Sequence, residues 1–145
     1  MNVCIKRIDK SLPLPEYKTA GAAAFDLYAR EKTIVPARGW AKVPSNFIIE
    51  IPHGFALIIS ARSSLAKNYT GIFLANGVGL IDSDFCGPSD EILISIYNIK
   101  DYDITIERGD RIAQGRFEKV ERGEFIEVEE MVNNERGGFG TTGLK

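Results

Sequence analysis

Short runs of β-branched and aromatic residues, each ended by a glycine- or proline-bearing turn, recur along this chain and limit what it can fold into. Asn46-Phe-Ile-Ile-Glu-Ile51, Gly54-Phe-Ala-Leu-Ile-Ile-Ser60, Glu91-Ile-Leu-Ile-Ser-Ile-Tyr97 and Ile104-Thr-Ile106 carry the pattern. Pro36-Ala-Arg-Gly39, Pro52-His-Gly54, Cys86-Gly-Pro-Ser-Asp90 and Glu107-Arg-Gly-Asp110 interrupt it. Runs this short suit strands better than helices, and their regular spacing predicts an all-β sandwich or barrel rather than alternating βαβ units. Only Ser63-Ser-Leu-Ala-Lys-Asn68 reads as helical, and briefly. From Glu118 to Glu130 charged and apolar residues alternate, which predicts a solvated edge strand. The patterning stops after Val132, leaving one domain at 1–132 and a tail at 133–145 with no core of its own to join.

A chain of 145 residues is long enough for one real core, and its 44% hydrophobic and 26% charged residues are ordinary for a soluble domain. A net charge of −2 excludes a broad basic surface for nucleic acid. Any polyanionic ligand therefore has to be held by a few placed arginines and a divalent metal. No apolar run is long enough to cross a membrane, and Met1-Asn2-Val3-Cys4-Ile5-Lys6 lacks a signal-peptide pattern, so the cytoplasm is the expected location. Cys4 and Cys86 are too few for a disulfide framework but leave one bridge open. With a single histidine, His53, a zinc site is not expected.

Five clusters carry candidate chemistry. In Gly21-Ala-Ala-Ala-Phe-Asp26-Leu-Tyr28, small residues precede one carboxylate set among apolar neighbours; this suits an acidic site residue or a capped strand start. In Ala61-Arg62-Ser63-Ser64-Leu65, a strand runs into hydroxyls and free N–H groups at a helix start, an anion site in which Arg62 adds charge. The third cluster is the densest: Leu74-Ala-Asn76-Gly77-Val-Gly79-Leu-Ile81-Asp82-Ser-Asp84-Phe85-Cys-Gly87. Asn-Gly between apolar residues predicts a hairpin whose backbone can read a base edge. Asp82 follows apolar positions that can hold it as a general base. Phe85 offers a flat apolar face to a sugar, against which an unpaired 2′-hydroxyl costs about 1–3 kcal/mol. The fourth cluster, Gly109-Asp110-Arg111-Ile112-Ala113-Gln114, sets Arg and Gln where they can meet phosphate and water. The fifth is the terminal Arg136-Gly-Gly-Phe139-Gly140-Thr141-Thr142-Gly143, in which glycines bare the backbone, Arg136 offers a fork for phosphate and Phe139 a face for a base. At a chain end it reads as a flexible lid over a nucleotide or as a frayed terminus.

In this order the five clusters resemble the five motifs of the homotrimeric dUTPase family, over a span from about Gly21 to Gly143. Glu107-Arg-Gly-Asp-Arg-Ile-Ala-Gln114 and Gly79-Leu-Ile-Asp-Ser-Asp84 match most closely. The resemblance implies a β-barrel of jelly-roll type whose three subunits build three active sites at their interfaces. It further implies Mg²⁺-dependent hydrolysis of dUTP to dUMP and pyrophosphate by water attack on the α-phosphorus, keeping uracil out of DNA. Asp82 and Gln114 would be catalytic, Asp82 activating the water. Substrate would be held by Arg62, Ser63, Ser64, Asn76, Gly79, Phe85, Arg111, Arg136, Phe139, Gly140, Thr141 and Thr142. Phe139 would close over uracil and Arg136 would meet the γ-phosphate. Asp26 would help place Mg²⁺ through water, with the triphosphate as the main ligand. The implied partners are dUTP and two further copies of the chain, with neither nucleic acid nor membrane.

The chain departs from the family pattern in places. Phe85 stands where a tyrosine is usual, Ala24 where glycine is common, and Ala61 where proline often precedes the arginine. Arg136 lies three residues before Phe139, a narrower gap than usual. Two rivals follow from the same residues. A dCTP deaminase shares the fold and resembles Arg62-Ser-Ser-Leu-Ala-Lys67, but Ser95 stands where it needs a glutamate before Tyr97-Asn98. A non-catalytic nucleotide-binding module is favoured only by the shortened tail.

Overall fold

Nine residues of strand, from Arg111 to Lys119, form the element around which the others are ordered. The computed structural model describes residues 1–137. Eleven strands and one helical turn follow in chain order: β1 (Cys4–Arg7), β2 (Phe25–Tyr28), β3 (Thr33–Val35), β4 (Trp40–Pro44), β5 (Phe47–Glu50), β6 (Phe55–Ala61), α1 (Leu65–Asn68), β7 (Ile72–Leu74), β8 (Gly79–Ile81), β9 (Leu93–Asn98), β10 (Ile104–Ile106) and β11 (Arg111–Lys119). They pair antiparallel into a four-stranded sheet β2-β11-β6-β8, a three-stranded sheet β4-β9-β7 and the pairs β1-β5 and β3-β10. Phe25, Leu27, Leu57, Ile59 and Ile112 from the first sheet share one core with Val43, Ile72, Leu74, Ile94 and Ile96 from the second. The fold is therefore all-β and of jelly-roll type.

Local chemistry explains how β11 fits between its neighbours. At Gly115 a Cβ atom would lie 2.9 Å from Phe25 Cζ and 3.1 Å from Leu57 Cδ1, so β2 and β6 close on β11 only because no side chain stands there. The N-terminal segment is tied to the sheets through Asn46, which is fully buried with φ 76°. Its Oδ1 accepts from Asp9 N at 2.6 Å and its Nδ2 donates to Asp9 O at 3.0 Å. Its own N–H donates to Glu91 Oε1 at 2.8 Å, and the Glu91 carboxylate also takes two bonds from Arg30. Asparagine is among the few residues that tolerate left-handed backbone, and here its amide bonds both the N–H and the C=O of Asp9, just beyond β1.

Several expectations require correction. The edge strand over 118–130 is not formed: β11 ends at Lys119, and 120–137 has no strand and is exposed, with Phe125 at 100% and Val132 at 97%. Alternation prepares one face of a strand but cannot supply the neighbouring strand whose N–H and C=O groups complete a ladder. The helix expected from Ser63 to Asn68 is a single turn beginning at Leu65. Asn76-Gly77 does turn the chain, with Gly77 at φ 68°, but β7 and β8 do not pair with each other. β7 joins β9 and β8 joins β6, so the turn is a corner between two sheets rather than a hairpin tip. Cys4 and Cys86 are both free and exposed.

Asn46→Ala should destabilise the protein by about 2–4 kcal/mol, because it removes two hydrogen bonds to Asp9 and puts alanine in left-handed backbone. Asn46→Gly, which relieves the backbone, should lose less. Urea unfolding followed by circular dichroism measures both, and an alanine variant as stable as the parent would remove Asn46 from this role.

Candidate functional site

Register across three strands gathers the first group of polar residues. Gln114 on β11 lies opposite Asp26 on β2 and opposite Ser60 on β6, one residue before Ala61 and two before Arg62. The Asp26 side chain is only 10% exposed and both its oxygens are engaged: Arg62 Nε lies 2.7 Å from Oδ1 and Arg111 Nη1 lies 3.0 Å from Oδ2. Arg62 Nη1 also donates to Ser64 Oγ at 2.9 Å and to Arg111 O at 3.2 Å. Gln114 Nε2 donates to Ala61 O at 3.2 Å and to Ser60 Oγ at 3.4 Å. One carboxylate thus aligns two guanidiniums and leaves the cluster one positive charge in excess, a charge balance suited to an anion.

A β-bulge puts Arg111 into this group. Gln114 pairs with Asp26 and Ala113 with Leu27, yet Arg111 pairs with Tyr28, so Ile112 is the additional residue. In an unbulged strand Arg111 would point to the face opposite Gln114; the extra residue returns it to the side of Asp26. The helix start contributes less than the sequence suggests. α1 has four residues, and Ser64 has helical backbone with no side-chain cap bond, so the arginines rather than a helix terminus make the anion receptor. Ser63 is exposed beside it.

Tyr69, outside the five clusters, and Asp110 of the fourth cluster, to which the sequence pattern assigns no role, adjoin this region. The Tyr69 hydroxyl donates to the Asp110 carboxylate, which also accepts from Glu107 N at 2.8 Å. Burial, and then the Asp110 carboxylate, push the Tyr69 phenol up to about 12. Tyr69 and Asp110 are 41 residues apart, and no spacing rule joins them.

The second group lies elsewhere on the chain. Asn76 is exposed at the corner between β7 and β8, where Gly77 N bonds Leu74 O at 3.0 Å and Val78 N bonds Asn76 O at 2.7 Å. Gly79 is buried, and a Cβ there would come within 3.1 Å of Ile59 Cβ. Asp82 follows β8 directly and opens a turn in which Phe85 N donates to Asp82 O at 3.2 Å. Asp82 is exposed rather than held among apolar residues, in a recess shared with His53, Phe55 and Arg122, and Phe85 is 39% exposed.

Asp82 and the arginine cluster are at opposite ends of β6, with Gly79 opposite Ile59 between them. Ile81 pairs with Leu57, which puts Asp82 beside Ala56, whereas Arg62 follows the other end at Ala61. Six residues at a strand rise of about 3.4 Å separate them by about 20 Å. Arg136 is exposed on the strand-free segment, and Phe139, Gly140, Thr141 and Thr142 lie outside the described residues. Among the described residues no group of three or more His, Cys, Asp or Glu side chains is arranged to hold a metal ion, and no helix is long and apolar enough to cross a membrane.

Comparison with known proteins bears on this geometry. The dUTPase family model matches residues 10–143. The deoxyuridine 5'-triphosphate nucleotidohydrolase of Desulfitobacterium hafniense (strain DSM 10664 / DCB-2) is 43% identical over 150 residues, covering 99% of this chain and 96% of the relative. Among solved structures, the Staphylococcus bacteriophage 80alpha dUTPase with dUpNHpp matches with a TM-score of 0.84 over 99% of each chain at 21% identity. A mutant dUTPase of phage phi11 of S. aureus, whose structure coordinates a structural Mg(II) ion, matches at 0.77 over 90% of this chain and 98% of that one at 19% identity. At those identities the two structures establish the shared fold.

The raised Tyr69 phenol gives a pH signature. Its folded value of about 12 exceeds the ordinary 10.0, so its contribution to stability is complete below about pH 10 and is lost as pH climbs toward 12. Thermal unfolding should therefore fall more steeply above about pH 10 for the parent than for Tyr69→Phe. Parallel curves would show that the phenol does not ionise with unfolding.

Proposed function

This chain belongs to the dUTPase family, and on that premise we propose that it hydrolyses dUTP to dUMP and pyrophosphate at sites shared between the subunits of a homotrimer. The observation that carries this reading is the separation along β6. A general base has to lie within one hydrogen bond of the water it activates. The α-phosphorus under attack is one bridging oxygen from the next phosphate, so the base and the phosphate receptor must lie within a few bonds of each other in the working site. In one chain Asp82 and Arg62 are about 20 Å apart. Asp82 of one subunit therefore works with Arg62, Ser63, Ser64, Arg111 and Gln114 of a neighbour. Exposed Val78, Leu80 and Phe73 near the corner, and Phe125, Ile126 and Val132 on the strand-free segment, offer apolar surface for that association.

Each residue then has a task set by its chemistry. Backbone groups at Asn76 and Gly79 read the uracil edge, and Phe85 packs on the deoxyribose. Asp82 takes the proton of the attacking water; the neighbour and the substrate exclude bulk water around it, which strengthens its hold on that water. The guanidiniums of Arg62 and Arg111 meet charge on the phosphates as pyrophosphate departs. Arg136, Phe139, Gly140, Thr141 and Thr142 cover the nucleotide from a third subunit. Both Asp26 oxygens already serve arginines, and no carboxylate cage exists among the described residues. That donor set fits Mg²⁺ held by the triphosphate, with Asp26 acting through water, since Mg²⁺ commonly combines few carboxylates with substrate phosphates. When bound, Mg²⁺ neutralises triphosphate charge. We place the reaction in the cytoplasm.

With Mg²⁺ present, pyrophosphate should appear from dUTP and not from dCTP, dTTP or UTP, and Asp82→Asn should abolish turnover while dUTP still binds. Ammonia from dCTP would instead identify a deaminase, and binding without turnover a regulatory module. Mixing inactive Asp82→Asn and inactive Arg62→Ala chains should restore about a quarter of parental activity, because random trimers rebuild some sites from two intact halves. No recovery on exchange of subunits would place both groups in sites within one chain.

A further inference from the structure

We propose that Tyr69 is a positioning residue for the phosphates of the substrate, acting through Asp110 to hold the Arg62–Ser64 segment in place. The inference rests on the phosphate-receptor reading of that segment and extends it to a residue outside the five motif-like clusters.

The segment cannot hold its own shape. α1 is a single turn with no side-chain cap, and one turn of helix is not stable by itself. Its backbone bonds are local: Leu65 N to Arg62 O at 3.0 Å, Asn68 N to Ser64 O at 2.9 Å and Tyr69 N to Leu65 O at 2.8 Å. Leu65 is its one buried residue. Placement relative to the sheet therefore depends on long-range ties at its two ends. At the start, Arg62 bonds Asp26 and the Arg111 carbonyl oxygen. At the end, the Tyr69 hydroxyl bonds Asp110.

Asp110 is a fixed anchor. Its Oδ2 accepts from Glu107 N at 2.8 Å, closing the turn before β11, and its backbone oxygen accepts from Ala29 N at 2.8 Å. Gly109 N donates to Ala29 O at 2.8 Å, so the turn is bonded in both directions to the residue that follows β2. β2 carries Asp26, and Asp110 directly precedes Arg111. The Tyr69 bond therefore fastens the far end of the serine segment to the frame that aligns the two arginines. Without it, only the burial of Leu65 and the run of the chain into β7 hold the far end, and Ser63 and Ser64 are placed less firmly.

Loss of the hydroxyl should weaken contacts to the outer phosphates and spare those to the nucleoside, which the corner at Asn76 and Gly79 makes. Titration calorimetry with Mg²⁺ compares dUpNHpp, a triphosphate analogue, with dUMP, which lacks the outer phosphates. Tyr69→Phe should raise the Kd for dUpNHpp about tenfold and that for dUMP less than about twofold. Asp110→Ala, which also removes the bond from Glu107 N, should lose at least as much, and the double variant should be no weaker than Asp110→Ala alone, since the bond to Tyr69 is already absent there. Equal losses for the two ligands, or additive losses in the double variant, would make Tyr69 merely structural and overturn the proposal. Unaltered dUpNHpp affinity in Tyr69→Phe would overturn it as well. A parent chain that binds neither ligand would overturn the proposal together with the functional reading beneath it.

Discussion

The pairing of one nearly buried carboxylate with two guanidiniums sets the terms for the rest of this structure. A carboxylate as enclosed as Asp26 is tolerable only when its charge is met, and removing a partner from such a pair costs about 3–5 kcal/mol. Arg111 meets it from β11 and Arg62 from just beyond the end of β6, while Asp26 itself sits on β2. The residues that would bind phosphate are thus the same residues that compensate an enclosed charge in the sheet β2-β11-β6-β8. Stability and receptor geometry share one interaction, so variants of Asp26 should be judged on both.

β6 imposes the second constraint. A strand of seven residues is a rigid spacer, and it puts the receptor at one end and Asp82 with Phe85 near the other. No side-chain movement spans that length, because even a long side chain reaches only a third or so of it. On the proposed reading, in which both belong to one site, they meet only between copies of the chain. The exposed apolar residues along 120–132 fit the same logic, since nothing among the described residues covers them. The proposed trimer would satisfy both demands with one symmetry operation.

Much of this was legible in the sequence, and the failures have physical causes. The runs at 46–51, 54–60, 91–97 and 104–106 lie on β5, β6, β9 and β10 because β-branched alternation reports burial on a pleated surface. Alternation at 118–130 misled because it says which face of a segment is apolar and nothing about which strand it would join. Asn76-Gly77 fixed a turn, yet the partners of the flanking strands are decided by the sheets around them. The bulge at Ile112 is invisible in the one-dimensional pattern, and so the face of Arg111 was not readable. Tyr69 and Asp110 meet only through topology.

Pairing also bears on selectivity. With 18 basic and 20 acidic residues the chain has no surplus of positive charge, and the two arginines of the receptor already share a carboxylate. Asp26 takes one nitrogen of each guanidinium, so an approaching anion is met by the remaining N–H groups while the Asp26 charge repels it. A single phosphodiester carries too little charge to be held well, which disfavours a nucleic-acid backbone at this receptor. A triphosphate concentrates several negative charges on neighbouring oxygens and can engage Arg62, Arg111 and the serine hydroxyls together. On the proposed reading, cleavage would divide the charge between two products, and neither would match the receptor as the triphosphate does. The buried carboxylate would then do more than align two arginines: by offsetting part of their charge, it would set how much charge a ligand must bring to stay bound.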